Sequence, residues 1–261
     1  MKHTLFAGCS HTAGDGLPNG CNNPGLWVNL LHSKTDLNQA NLLNVSKGGR
    51  SNAGIFLDSM YNLLVHDCKY AFVAWTSMPR YELELGLETY ATKQCFIPNG
   101  TTREHRLNDC VYSAEYLDSI RDRFTSLAHL HYEILNLVYY VNCLIAAAKL
   151  KQTKIFFINA LCPWDNNYFN CLINVLPESY TPFTKELINI HNRDDNEIYK
   201  IYKKIHNEYA ECGGINQDHW LNLYESTKTL QVDKSDDLLH PGLQSNQIYF
   251  EKFSQAITHK L

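Results

Sequence analysis

Short, nearly uninterrupted apolar runs alternate along this chain with longer stretches whose apolar positions recur every three to four residues. The first kind predicts strands buried on both faces, the second helices. On that pattern Thr4–Ala7, Leu42–Val45, Tyr70–Trp75, Lys154–Asn159 and Trp220–Leu223 read as strands. Leu26, Trp27, Leu30 and Leu31 mark one helix face. Ile55–Val65 predicts a second helix, Leu127–Leu150 a long third, Glu197–Cys212 a fourth ended by Gly213-Gly214, and Gln244–His259 a closing one. Gly8 to Pro24 reads as a loop rich in Gly, Asn and His. Residues 82–125 are polar and irregular, an excursion with short helices. Residues 161–196, with Pro163, Pro177 and Pro182, form a second loop-rich excursion.

Strands alternating with helices predict an α/β fold: a central parallel sheet of five strands with helices on both faces. At 261 residues the chain is expected to be one domain. Such sheets bind ligands beyond the carboxyl ends of their strands, where the strand order reverses. Three polar segments fall on that edge: Ser10 after the first strand, Gly49 after the second, Thr76-Ser77 after the third. His240 lies in the loop before the last helix and can reach the same edge.

Composition narrows the partners. The apolar fraction of 44% suffices for a full core, and the net charge is −4. No basic block points to nucleic acid or to an anionic membrane. Nine cysteines without C-x-x-C spacing argue against a disulfide framework or a zinc site and for a reducing compartment. The first residues lack the pattern of a signal peptide, and Ile134–Leu150, interrupted by Asn136 and Asn142, is too short and polar to span a bilayer. The expectation is a soluble, cytoplasmic protein without a cofactor.

The candidate chemistry lies at the two ends of the chain. Ser10 follows Gly8-Cys9 on a tight turn, where it is either a nucleophile or a capping serine. Asp237 and His240 are one turn apart. That spacing lets a carboxylate meet one imidazole nitrogen and leave the other facing a serine. Asp236 is a rival orienter at a less suited spacing. Pro241-Gly242 then turns the chain. In order, Ser10, Asp237 and His240 supply a nucleophile, an acid and a base. Gly49 can bring its backbone N–H close to a reacting oxygen, or can serve only a Gly-Gly turn. Thr76 and Ser77 supply hydroxyl donors at the third strand end, or cap the turn before Pro79. Arg80 can pair with Glu82 or hold an anionic group of a substrate, and His11 stands beside the serine. Trp75, Tyr81, Trp164, Tyr168 and Phe169 offer either stacking surface for a sugar or core packing.

These pieces, in this order, resemble the SGNH hydrolases, the GDSL-like lipase/acylhydrolase family. Gly8-Cys9-Ser10-His11-Thr12 is similar to the nucleophile block, Asn44 through Ser51 to the second block, Ala74-Trp75-Thr76-Ser77 to the third, and Asp237 to His240 to the last. The resemblance implies a three-layer flavodoxin-like fold and a serine esterase with a Ser10–His240–Asp237 triad. It also implies an oxyanion hole from Ser10, Gly49 and Ser77. His11, Trp75, Thr76 and Arg80 would line the substrate. The chain departs from the family twice: Cys9 stands in place of aspartate, and Ser77 in place of the third-block asparagine. The expected substrate is a small acyl ester, including carbohydrate O-acetyl esters. An O-acyltransferase, or a non-catalytic binding module in a larger assembly such as a virion, is the alternative. A fourth reading makes Cys9 the nucleophile.

Overall fold

The computed structural model describes residues 2–76, 81–84, 93–96, 127–161, 219–221, 225, 227, 230–258 and 260. Five parallel strands form the central sheet: β1 (His3–Ala7), β2 (Asn41–Asn44), β3 (Cys68–Trp75), β6 (Lys154–Asn159) and β7 (Trp220–Leu221). Their spatial order is β2-β1-β3-β6-β7. A separate antiparallel pair, β4 (Tyr81–Glu84) and β5 (Lys93–Phe96), departs from the irregular excursion expected there. The predicted helix Glu197–Cys212 and the rest of both excursions lie outside the described residues.

Among the described residues five α-helices accompany the sheet: α1 (Ser10–Ala13), α2 (Trp27–Lys34), α3 (Asn52–Val65), α4 (Leu127–Leu150) and α5 (Leu243–Thr258). α2 packs on α5 and α3 on α4. The right-handedness of parallel crossovers places these two pairs on opposite faces, giving the three layers. The β2-β1-β3 order reverses direction at β1, so the crevice beyond β1 and β3 is the topological switch point.

In-register aromatics build the core. Phe6 pairs with Phe72, and Phe72 with Phe156, across three neighbouring strands. Their rings stack at 4.8 and 5.2 Å. Trp27 of α2 meets Phe6 edge-on at 5.8 Å and Phe253 of α5 at 5.1 Å. On the alternate strand positions Phe157 lies between Trp75 and Trp220. Truncating one such buried ring to alanine costs roughly 3–5 kcal/mol, so this ladder anchors the strand ends that carry the site. Burial also pushes the Cys68 thiol up to about 11, which leaves it a protonated core residue.

Candidate active site

Ser10 is the first residue of a one-turn helix that begins directly after β1. A loop was expected here, but a single turn is too short to show helical periodicity in sequence. Cys9 sits at the N-cap with no side-chain cap bond and is wholly buried in the core cluster, while Ser10 is 3% exposed. Packing therefore accounts for Cys9. α1 is tied to its surroundings at several points. The Thr12 carbonyl accepts from Asn44 Nδ2 at 3.1 Å, and the His11 carbonyl from Trp27 Nε1 at 3.0 Å.

The second block wraps beside it. Lys47 N–H donates to the Gly8 carbonyl at 3.2 Å, holding the loop after β2 against the start of the nucleophile turn. Gly49 has φ +73°, a conformation that favours glycine. Arg50, 8% exposed, grips Asp58 of α3 through Nε and Nη2, each at 2.8 Å from a different carboxylate oxygen. Ser51 caps α3 by accepting from Gly54 N–H at 3.1 Å. Asn52 reaches the end of β3. Its Oδ1 accepts from Thr76 N–H at 2.9 Å and its Nδ2 donates to the Thr76 carbonyl at 3.3 Å. The second and third strand ends are thus bolted together. Among the described residues, neither Ser10 N–H nor Gly49 N–H donates to another protein group.

The last block is a tight loop closed by a Lys234–Pro241 bridge and by Ser235 N–H donating to the His240 carbonyl at 2.9 Å. Asp237 Oδ2 lies 2.5 Å from His240 Nδ1. Asp237 Oδ1 accepts from Ser235 Oγ at 2.7 Å and from Leu239 and His240 N–H, both at 2.9 Å. Leu238 adopts φ +59°, uncommon for a bulky residue, in the turn whose two following N–H groups converge on that one oxygen. Burial opposes the charge on Asp237, but bonds from the His240 backbone and ring, Leu239 and Ser235 outweigh it. They hold the carboxyl well below the usual range. Asp233 is lowered in the same way. Burial opposes its charge, while the Ser245 hydroxyl and the Ser245 and Gln244 N–H groups at the start of α5 stabilise it.

The two ends of the chain meet here. The His240 ring lies 6.1 Å from the His11 ring, edge-on. Asp236 makes no bond to His240; the carboxylate on the imidazole belongs to Asp237. Among the described residues no hydrogen bond joins Ser10 Oγ to His240, a contact that in unliganded enzymes is often long and tightens around substrate. His11 is 5% exposed, and its Nδ1 lies 2.8 Å from Thr227 Oγ1. The single Thr227 hydroxyl proton goes to the Ala160 carbonyl at 2.5 Å. His11 Nδ1 must therefore be the protonated nitrogen. Thr227 also accepts from the Tyr249 hydroxyl at its carbonyl, 2.5 Å away.

Several lining expectations change. Trp75 is wholly buried and stacks on Phe157 at 5.9 Å, so it is core and offers no face to a sugar. Thr76 is also fully buried, with a hydroxyl that has no partner. It therefore lines no open surface. Ser77, Arg80, Trp164, Tyr168 and Phe169 lie outside the described residues, and Tyr81 is described only as part of β4. Thr227, Ser235 and Asp58 were not singled out in sequence. Their roles depend on partners 216, 2 and 8 residues away, and no local pattern signals such pairs. Among the described residues no cluster of His, Cys, Asp and Glu could hold a metal, and no helix is long and apolar enough to cross a membrane.

No protein-family model matches the chain, and no curated protein sequence matches it significantly. Solved structures do. TesA aligns over 100% of both chains at 15% identity and a TM-score of 0.47. The psychrotrophic esterase EstA from Pseudoalteromonas sp. aligns over 99% of this chain and 98% of its own, at 12% identity and 0.45. A carbohydrate acetylesterase family member from Sinorhizobium meliloti aligns over 99% and 98%, at 10% and 0.46. In the course of its chain, this protein is similar to TesA and to these two solved esterases.

Proposed function

We propose that the protein is a serine acyl hydrolase that cleaves a small acyl ester through Ser10, His240 and Asp237. The observation that carries the reading is the 2.5 Å bond between Asp237 and His240 Nδ1, made in a loop whose histidine ring meets the ring of the residue next to Ser10. A carboxylate on Nδ1 fixes the proton there and leaves Nε2 as the base. Ser10 Oγ attacks the ester carbonyl while His240 Nε2 takes its proton. The imidazolium, stabilised by Asp237, then protonates the departing alcohol. Water repeats the sequence on the acyl-enzyme and releases the acid. The N–H groups of Ser10 and Gly49 would receive the oxyanion. The Arg50–Asp58 grip and the Asn52 bridge hold the Gly49 loop still, which is where such donors gain their effect. Ser77 is proposed as a third donor.

An O-acetyl ester of a carbohydrate is the first substrate class to test. The experiment is a panel of acetylated sugars and short-chain aryl esters, run with Ser10→Ala beside the native protein. Turnover of a panel member that disappears in Ser10→Ala is the expected result. Equal turnover by both proteins would remove Ser10 from the reaction.

A further inference from the structure

Gly16, in the loop after α1, touches the acid of the proposed site. A Cβ placed on it would fall 2.3 Å from Ser235 Oγ, 2.6 Å from Asp237 Oδ2 and 2.7 Å from Asp237 Cγ. Real Cβ atoms do not approach other atoms so closely. Its φ of +80° adds a second, independent demand for glycine. We propose that Gly16 is a positioning residue, whose bare Cα lets the Asp237 carboxylate seat against His240, so that any side chain at this position uncouples the pair.

The two short side chains in its way are both held by hydrogen bonds. Ser235 Oγ is bonded to Asp237 Oδ1 and lies 3.2 Å from the His240 carbonyl. Asp237 Oδ1 carries three donors, and Oδ2 is the atom that faces His240 Nδ1. A methyl group on Gly16 therefore displaces the one oxygen the imidazole uses, while Oδ1 stays anchored by two backbone N–H groups. The carboxylate rotates off the ring before the loop gives way. Gly16 also joins the ends of the molecule: it lies six residues after Ser10 and contacts the loop more than 200 residues later. The consequence for turnover rests on the acyl-hydrolase reading above. The consequence for the Asp237–His240 bond does not.

The test follows the proton on His240 Nδ1. In a short bond to a carboxylate this proton gives a far-downfield NMR resonance, which is assigned by its loss in His240→Asn. The native protein should show it and Asp237→Asn should lose it. Gly16→Ala should lose it or move it strongly upfield. Gly14→Ala is the control for backbone strain. Gly14 has the same φ of +80°, but its Cβ would meet the Gly20 carbonyl instead of the acid, so the resonance should remain. If Gly16→Ala does not fold, the double variant Gly16→Ala/Ser235→Ala removes the nearest clashing atom and should still lose the resonance. On a turned-over ester, Gly16→Ala should lower kcat by ~10- to 100-fold with KM within about twofold, as a displaced catalytic group does. A native resonance in folded Gly16→Ala, or in the double variant, overturns the proposal. So does its absence from the native protein, because no Asp237–His240 bond would then exist for Gly16 to protect. A native protein inactive on every ester would count against the hydrolase reading alone, and the resonance would still decide the role of Gly16.

Discussion

Replacing Asp237 by asparagine is a sharper perturbation here than replacing it by alanine. Four donors converge on the carboxylate: Ser235 Oγ and two backbone N–H groups on Oδ1, and His240 Nδ1 on Oδ2. Asparagine has one acceptor oxygen. Turned toward His240, it would aim its NH₂ at two backbone N–H groups and forfeit both of their hydrogen bonds, at roughly 0.5–1.5 kcal/mol each for such exposed groups. The amide oxygen therefore takes the Oδ1 place and the NH₂ faces Nδ1. His240 can meet that donor only by giving up its Nδ1 proton and carrying it on Nε2 instead. In this tautomer it cannot accept the proton of Ser10. A triad locked this way loses ~10⁴ in kcat, about 5.4 kcal/mol of barrier. Alanine imposes no tautomer. With the Asp237 side chain 34% exposed, water can enter the vacated place. Asp237→Ala should therefore retain more kcat than Asp237→Asn, yet melt lower, because it abandons the three donors that shape the loop. The assay is kcat for a chromogenic acetyl ester and melting temperature on the same preparations. Asp237→Asn within tenfold of native kcat would refute the reasoning. So would Asp237→Ala more than tenfold slower than Asp237→Asn.

Asp58→Asn weakens the bidentate grip on Arg50 without touching the proposed nucleophile or base. It should lower kcat by ~10-fold or more with a smaller change in KM, by loosening the Gly49 loop; an unchanged kcat beside a lowered melting temperature would make the pair purely structural. Asp233 and Asp237 both have folded-state carboxyls held below their unfolded values. The stability they contribute is present above the unfolded carboxylate pKa of about 4 and is lost as pH falls below it. The unfolding free energy of the native protein should thus decline from about pH 4 downward, and less steeply in Asp233→Asn, measured by denaturant titration at each pH. Parallel declines in the two proteins would contradict this.

The sheet was legible because its central strands are fully buried. An unbroken apolar run such as Tyr70–Trp75 can do little else in a chain with helical stretches on either side. β3 only extended that reading, to Cys68–Trp75, and Lys154–Asn159 matched β6 residue for residue. The polar Asp237 and His240 were legible because their bond is local, three residues long. What escaped was short or distant. α1 has four residues, too few for a period to emerge. Trp75 read equally well as a sugar platform or as core, and only its full burial and its stacking on Phe157 decide for core. The contacts of His11 with Thr227 and of Gly16 with Asp237 cross almost the full length of the chain. A glycine that makes room for a carboxylate 221 positions away has no sequence signature beyond being glycine.

Covalent capture of the nucleophile is the most direct measurement. The protein should be treated with a fluorophosphonate, digested and mapped by mass spectrometry. The adduct should sit on Ser10, be absent from Ser10→Ala, fall sharply in His240→Ala and persist in Cys9→Ala, whose wholly buried side chain belongs to the core. An adduct on any other residue, or a native protein that takes none while still hydrolysing an ester, would contradict a Ser10 nucleophile.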